Sequence, residues 1–215
     1  VEGYGPGLFD ELQVSGVPDF PMTEFWERTP WTPNRTVKMV SSAAHVYGKP
    51  VVASESFTGE EETARWEEYP YSLKILGDLM FSLGVNEMVF HRYAHQPYLD
   101  RFPGATMGPW GLHYERTQTW WEMSGAWHEY LSRCQFLLRQ GLFVADLCYL
   151  RPQLPNQTSF TPAPAVPVGY KYDECSAEAL IARMSVKDWR MALPDGMSYR
   201  LLVLPESSTL VTRSE

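Results

Sequence analysis

The chain of 215 residues combines an ordinary apolar content with a negative net charge. Its 44% hydrophobic residues are typical of a folded globular protein and exclude general disorder. The 18 basic and 26 acidic residues give a net charge of −8, which argues against nucleic acid as a partner because phosphates need a basic surface. No apolar run approaches the roughly 18 residues that a membrane-spanning helix needs, so we expect no membrane span.

The chain ends and the cysteines constrain the cellular compartment poorly. The chain opens with Val1-Glu2-Gly3-Tyr4, without Met and without the profile of a signal peptide. It closes at Thr209–Arg213, directly after an apolar run, and we expect it to be a piece of a larger protein. The three cysteines are widely spaced and odd in number, which predicts free, buried thiols and not a disulfide framework.

Two consecutive helix-and-strand units are predicted in the first half of the chain. Apolar and small residues at helical spacing predict a helix over Val37–Tyr47 that ends at Gly48, and a β-branched run predicts a strand over Val51–Phe57. The same order returns with a helix over Tyr71–Leu83 and a strand over Glu87–Tyr93. This alternation is typical of β/α units with parallel strands.

Polar residues stand at the C-terminal ends of both predicted strands. That end carries the active site in a (β/α)₈ barrel and the ligand in a doubly wound open sheet, so the alternation does not choose between the two folds. A further extended run, Pro21–Trp26, precedes the first unit and carries Glu24.

A long loop and a long helix complete the predicted first domain. The loop over Ala94–Arg116 is rich in Trp, Met and His, which favours a functional role. One helix is predicted over Thr117–Gln140, and Gly141 ends it. We place a domain boundary there, with residues 1–140 as one domain and residues 141–215 as the start of a second.

The second domain is predicted as an incomplete α/β layer. Its expected elements are a strand over Phe143–Leu150, a helix over Asp173–Met184, a hairpin turning at Asp195-Gly196 and a strand over Tyr199–Pro205.

Glu24 and Glu55 are the candidate catalytic residues, because each stands at the polar end of an apolar run. Two facing carboxylates can divide acid and base work, as in glycoside hydrolysis. The alternative is that each glutamate caps a helix or pairs with an arginine such as Arg28 or Arg92. Ser54 and Ser56 flank Glu55 and predict a polar setting for it.

The candidate substrate-binding residues are His91, Arg92, His95 and Trp110, which follow the second strand. Two histidines could bind a metal ion, but no third ligand of suitable spacing accompanies them. Hydrogen bonding to sugar hydroxyls, with Trp110 as a stacking surface, is the preferred functional interpretation. His45, in the middle of a helix, is predicted to be a packing residue.

Several stretches together resemble glycoside hydrolase family 106, the α-L-rhamnosidases. The resemblance covers nearly the whole chain and lies in Thr23–Trp26, Ala43–Thr58, Phe90–Pro97, Met107–Gly111, Arg116–Trp121 and Tyr199–Pro205. It implies an α/β fold in which residues 1–140 are the C-terminal part of a (β/α)₈ TIM barrel. Residues 141–215 would begin a following, incomplete, flavodoxin-like α/β domain.

The resemblance also implies an activity and a set of roles. The expected enzyme is an inverting hydrolase that removes terminal α-L-rhamnose from plant or microbial glycans, with calcium assisting substrate binding. Glu55 matches the general base, and Glu24 matches a second active-site glutamate close to the sugar or the calcium ion. The general acid is expected upstream of this chain, so residues 1–215 alone are expected neither to hydrolyse rhamnosides nor to fold as a stable monomer. A periplasmic or secreted location is expected for the full-length protein.

Two rival interpretations stay open. The chain could belong to another barrel glycosidase, such as a β-galactosidase-like enzyme, whose barrel is also followed by an α/β domain. It could also be a barrel that binds carbohydrate without turnover.

Overall fold

The computed structural model describes residues 9–27, 34–60, 62, 65–106, 108, 110–152 and 160–205. Within these residues, no helix is both long and apolar enough to cross a lipid bilayer. Arg28, one of the two arginines considered as partners for the candidate glutamates, lies outside the described residues, as do Met107 and Pro109 of the predicted loop motif.

The first half of the chain forms a three-stranded parallel sheet in the order β1-β2-β3. Helices connect its strands, so the two predicted β/α units are confirmed. The elements are β1 (Met22–Trp26), α2 (Asn34–Val46), β2 (Ala53–Thr58), α3 (Pro70–Ser82) and β3 (Glu87–Phe90). A short helix that the sequence did not predict, α1 (Glu11–Gly16), precedes them; the Asp10 side chain caps it by accepting hydrogen bonds from the amides of Leu12 and Gln13.

Helix α3 shows how local sequence sets the element boundaries. Pro70 stands at its first turn, where a missing amide hydrogen costs nothing. The helix ends at Gly84, whose φ of +111° is left-handed, and the Val85 amide donates back to the Met80 carbonyl at 3.1 Å. A side chain at Gly84 would also collide with Ser41 of α2, because its Cβ would lie 2.7 Å from the Ser41 Cβ.

The predicted long helix over Thr117–Gln140 is wrong in its first third. A short 3₁₀ turn, Trp121–Met123, precedes the helix proper, α4 (Gly125–Leu138). The Glu115 carboxylate accepts a hydrogen bond from the Thr117 amide at 2.8 Å, and the Trp120 indole donates to the Glu68 carbonyl at 2.8 Å. These contacts tie the start of the segment to Glu115 and Glu68.

The described residues of the second half form a parallel sheet and an antiparallel sheet, each of three strands. The parallel sheet has the order β5-β4-β9, and the antiparallel sheet the order β6-β7-β8. The elements are β4 (Leu147–Leu150), β5 (Tyr172–Cys175), α5 (Ala177–Arg183), β6 (Ser185–Lys187), β7 (Arg190–Ala192), β8 (Ser198–Tyr199) and β9 (Leu201–Val203). The hairpin predicted at Asp195-Gly196 is confirmed as the β7–β8 turn.

The helix predicted over Asp173–Met184 begins four residues later than expected. Residues Asp173 to Cys175 are extended and pair with β4. Ser176 is the N-cap, and its hydroxyl accepts a hydrogen bond from the Ala179 amide at 3.1 Å. These residues form a strand and not the start of the helix, because contacts with the first half of the chain hold Asp173 in place.

Asp173 links α2 to the second parallel sheet. The fully buried carboxylate accepts hydrogen bonds from Lys38 Nζ at 2.8 Å, Ser42 Oγ at 3.1 Å and Tyr199 Oη at 3.0 Å, and it contacts His45 Nδ1 at 3.0 Å. Lys38, Ser42 and His45 share one face of α2 because they lie four and three residues apart. His45 is therefore a satisfied packing histidine, as predicted. The division into residues 1–140 and 141–215 stays a prediction.

The three cysteines are free, as predicted. Cys148 and Cys175 are buried in the second core, and Cys134 is partly buried beside the first.

Candidate active site

Glu24 and Glu55 lie side by side at the centre of the first parallel sheet. They are direct register partners in β1 and β2, so both side chains leave the same face of the sheet. Both are partly exposed, while their neighbours Thr23, Phe25, Ser54 and Ser56 are buried. The structure thus brings together the two glutamates that the sequence singled out.

A β-bulge in β2 follows immediately after this pair. Between the pairs Glu24–Glu55 and Trp26–Thr58, strand β1 has one residue and strand β2 has two, Ser56 and Phe57. Phe57 adopts a left-handed φ of +60°, which is unfavourable for an aromatic residue. Its ring is fully buried and packs edge-on against Phe25, with 4.9 Å between ring centroids.

The bulge changes which side chain meets Glu55. Side chains alternate in a regular strand, so residue 58 would point away from residue 55; the extra residue reverses this. Thr58 Oγ1 donates a hydrogen bond to Glu55 Oε1 at 2.5 Å. The sequence analysis missed Thr58, because nothing in the pattern of residues 53–58 marks a bulge.

The two serines that flank Glu55 do not form the polar setting predicted for it. Ser54 Oγ donates to the backbone carbonyl of Glu55 at 2.9 Å, and Ser56 Oγ donates to that of Ser54 at 2.8 Å. Both side chains are fully buried on the opposite face of the strand. The prediction was wrong because strand alternation turns the nearest neighbours away.

His91 lies next to Glu55, just past the end of β3. Its Nδ1 is 3.7 Å from Glu55 Oε1, which is too long for a hydrogen bond. The His91 amide donates to the Ser56 carbonyl at 3.1 Å, and its carbonyl accepts from the Leu112 amide at 2.7 Å. Gly111 is required beside the ring, since a Cβ there would lie 2.7 Å from Nδ1.

Arg92 organises the long loop. Its buried guanidinium donates to the Trp110 carbonyl at 2.9 Å and to the Gly108 carbonyl at 2.8 Å. Burial lowers the pKa of this guanidinium. Within the described residues Arg92 is therefore not the ion-pair partner of Glu55 that the alternative interpretation required. A contact between Arg92 and a sugar stays a prediction.

Trp110 and Trp26 form an aromatic corner beside the glutamates. Their ring centroids are 6.0 Å apart with the planes at 70°, and Trp110 is 46% exposed. Trp26 lies two residues after Glu24, on the same face of β1. Trp26 was not predicted as a site residue. Its spacing of two residues from Glu24, which places both side chains on one face of a strand, was the signal that could have identified it. His95 is exposed further along the loop, and its role in binding stays a prediction.

The calcium site is not formed by these residues alone. Among the described residues, no group of three His, Cys, Asp or Glu side chains could hold a metal ion. Glu24 and Glu55 have four carboxylate oxygens between them, fewer than the six to eight ligands that Ca²⁺ takes. Glu24 as a calcium ligand stays a prediction from the resemblance.

Comparison with known proteins identifies the family. Residues 2–214 match the family model of glycoside hydrolase family 106, described as alpha-L-rhamnosidase. The chain is similar to the solved structure of the rhamnosidase from Novosphingobium sp. PP1Y, with a TM-score of 0.86 and 32% identity over 95% of this chain.

A curated relative from Formosa agariphila carries a different name, "Putative beta-glucuronidase", and is 37% identical over 201 residues. The chain spans 17% of that relative and 20% of the Novosphingobium rhamnosidase. The match to the family model runs over almost every residue from end to end, and the chain belongs to glycoside hydrolase family 106.

Proposed function

We propose that the protein containing this chain is an inverting α-L-rhamnosidase in which Glu55 is the general base. The observation that carries the proposal is the placement of Glu55. It is a partly exposed carboxylate in the middle of β2, and the buried hydroxyl of Thr58, the C-terminal residue of that strand, holds it in place. Enzymes with (β/α)₈ barrels work at the C-terminal end of the strands, and the barrel itself is part of the proposal.

Among the described residues, Oε2 of Glu55 has no hydrogen-bond partner and can act as the base. Both contacts that the described residues make with its carboxylate involve Oε1, with Thr58 at 2.5 Å and His91 at 3.7 Å. In the proposed step, Oε2 accepts a proton from water while the water oxygen bonds to the anomeric carbon. The bond from that carbon to the glycosidic oxygen breaks, and the departing oxygen takes a proton from a general acid, which we expect upstream of this chain.

Glu24 is better suited to binding than to acid catalysis. Glu24 and Glu55 are register partners on strands whose backbones lie about 4.8 Å apart. The carboxyl groups of an inverting pair are about 6.5–9.5 Å apart to leave room for water, a separation that residues on more distant strands reach more readily. We propose that Glu24 binds the sugar hydroxyls.

Two close carboxylates would also suit a retaining mechanism. The anomer that is released first, observed by ¹H NMR, separates the inverting from the retaining mechanism. The proposal expects β-L-rhamnose first; α-L-rhamnose would make Glu24 and Glu55 a retaining pair.

The charge of the site favours a neutral sugar over a uronic acid. Within the described part of the chain, neither Glu24 nor Glu55 contacts a lysine or arginine side chain. Two unit charges of the same sign 4 Å apart repel by about 4 kcal/mol at an effective dielectric of 20, so a glucuronide carboxylate would bind poorly here. The C5 methyl group of rhamnose carries no charge, and burying it against the Trp26–Trp110 corner would contribute about 0.8 kcal/mol.

A panel of aryl glycosides tests the substrate class. The full-length protein is assayed with 4-nitrophenyl α-L-rhamnoside, β-D-glucuronide and β-D-galactoside at equal concentrations. We expect kcat/KM for the rhamnoside to exceed the other two at least about a hundredfold, which corresponds to about 2.7 kcal/mol of transition-state discrimination. If the glucuronide or the galactoside is hydrolysed faster than the rhamnoside, rhamnose is not the preferred substrate and the proposal is wrong. Binding without release of any sugar would favour the non-catalytic alternative.

A further inference from the structure

Thr58 places a single buried hydroxyl on the carboxylate of Glu55. The residue is 1% exposed, and its Oγ1 lies 2.5 Å from Glu55 Oε1. A hydroxyl that donates to a carboxylate at this distance makes a short, charge-assisted hydrogen bond. Threonine is stiff about its first side-chain torsion, so the donor is set before any ligand arrives.

The backbone is shaped to deliver this hydroxyl. Without the bulge, strand alternation would turn residue 58 to the opposite face of β2. The bulge requires the left-handed Phe57, which is tolerated because its ring packs against Phe25 at 4.9 Å and Phe90 at 5.4 Å. The Thr58 carbonyl also accepts a hydrogen bond from the Glu27 amide at 2.9 Å, which fixes the residue from β1.

The hydrogen bond leaves the two oxygens of Glu55 in different settings. Oε1 is fixed by Thr58, so the carboxylate plane and the direction of Oε2 are fixed with it. A general base needs this fixed direction, because efficient proton transfer requires the base and the water to lie within hydrogen-bond reach in the right geometry.

Building on the proposed role of Glu55 as the base, we infer that Thr58 is a positioning residue that holds the Glu55 carboxylate in its reactive orientation. Thr58 does not touch the substrate. It acts on the rate of the chemical step and has little effect on sugar affinity.

The test compares three substitutions in the full-length protein. Thr58→Val keeps the shape and removes the hydroxyl, and Thr58→Ser keeps the hydroxyl. Ser56→Ala removes a neighbouring buried hydroxyl whose hydrogen bond within the described residues is to a backbone carbonyl. Each variant is assayed with whichever aryl glycoside of the panel the wild-type protein hydrolyses. The positioning role is therefore judged separately from the preference for rhamnose.

We expect Thr58→Val to lower kcat about 10- to 100-fold with KM changed less than about threefold, as fits the loss of a hydrogen bond to a charged group. Thr58→Ser should restore most of kcat, and Ser56→Ala should resemble the wild type.

Two results would overturn the inference: a Thr58→Val enzyme with wild-type kcat, or a Thr58→Ser enzyme as slow as Thr58→Val. Circular dichroism and a thermal melt check that each variant is folded. If Thr58→Val does not fold, Thr58→Ala takes its place, with the same two criteria against Thr58→Ser.

Discussion

Glu24 and Glu55 are direct register partners in adjacent parallel strands, and their side chains share the partly exposed face of that sheet. Their separation in sequence is spanned by helix α2, so the parallel β/α connection itself brings the two carboxylates together. Two adjacent carboxylates without a described lysine or arginine partner make a site suited to a neutral, hydroxyl-rich ligand.

The aromatic corner is expected to bind the sugar. Trp26→Ala and Trp110→Ala should each raise KM for the aryl rhamnoside about 5- to 30-fold, with a smaller effect on kcat, because each loses an apolar stacking contact that contributes about 1–2 kcal/mol. Steady-state kinetics of the full-length protein checks this. Trp189→Ala is the matched control, since Trp189 is 96% exposed in the turn between β6 and β7. If KM is unchanged in both Trp26→Ala and Trp110→Ala, the aromatic corner does not bind the sugar.

Arg92 is expected to act through the loop that it holds. Arg92→Met removes the donors to the Trp110 and Gly108 carbonyls and keeps much of the apolar stem. Amide hydrogen exchange over residues 94–116 should become faster, and KM should rise, because Trp110 loses its anchor. The exposed Arg101→Met is the control. If exchange stays slow while KM rises, Arg92 contacts the sugar directly, as the sequence analysis expected, and the anchoring account is wrong.

Asp173 contacts Lys38, Ser42, His45 and Tyr199, and we call this set of contacts the Asp173 network. It predicts that the link between α2 and the second parallel sheet depends on pH. Burial alone would raise the pKa of Asp173, but the attraction of His45 and Lys38 and their hydrogen bonds lower it to about 2, from 3.8. A lowered carboxyl pKa contributes stability above the unfolded value and loses it as the pH falls. We therefore expect stabilisation of about 2 kcal/mol near pH 7, lost between about pH 4 and pH 2.

Hydrogen exchange of residues 171–183 in the full-length protein measures this stabilisation. Asp173→Asn should lower the protection of β5 by about 3 kcal/mol at pH 7, because Lys38 is left buried without its counter-charge. The difference from wild type should shrink at pH 2.5. Exposed Asp188→Asn is the control. If the amides of β5 are equally protected from exchange in wild type and Asp173→Asn at pH 7, the Asp173 network does not stabilise the contact between α2 and the second parallel sheet.

The sequence predicted the parts of the fold that depend on local pattern. The helix ends at Gly48 and Gly84 and the buried strand before Glu55 follow from residue type and spacing, and the structure confirms them. The hairpin at Asp195-Gly196 has a strong local signal in the same way.

The sequence could not predict features set by contacts distant in the chain. The extended conformation of Asp173 depends on Lys38, which is 135 residues away. The bulge at Phe57 depends on packing against Phe25 and Phe90, and it alone determines that Thr58, not Ser54 or Ser56, meets Glu55. The identity of the two glutamates was therefore predictable, whereas the group that orients one of them was not.

Substitution of Glu55 by glutamine tests the central claim most directly. The change keeps the shape of the side chain and removes the base, so the full-length Glu55→Gln enzyme should fold normally and bind rhamnose. Its kcat on the aryl rhamnoside should fall by about 10²–10⁴-fold, the usual contribution of a general base, while the exposed Glu122→Gln keeps the wild-type rate. A Glu55→Gln enzyme that keeps more than about a tenth of the wild-type kcat would contradict the assignment of Glu55 as the base.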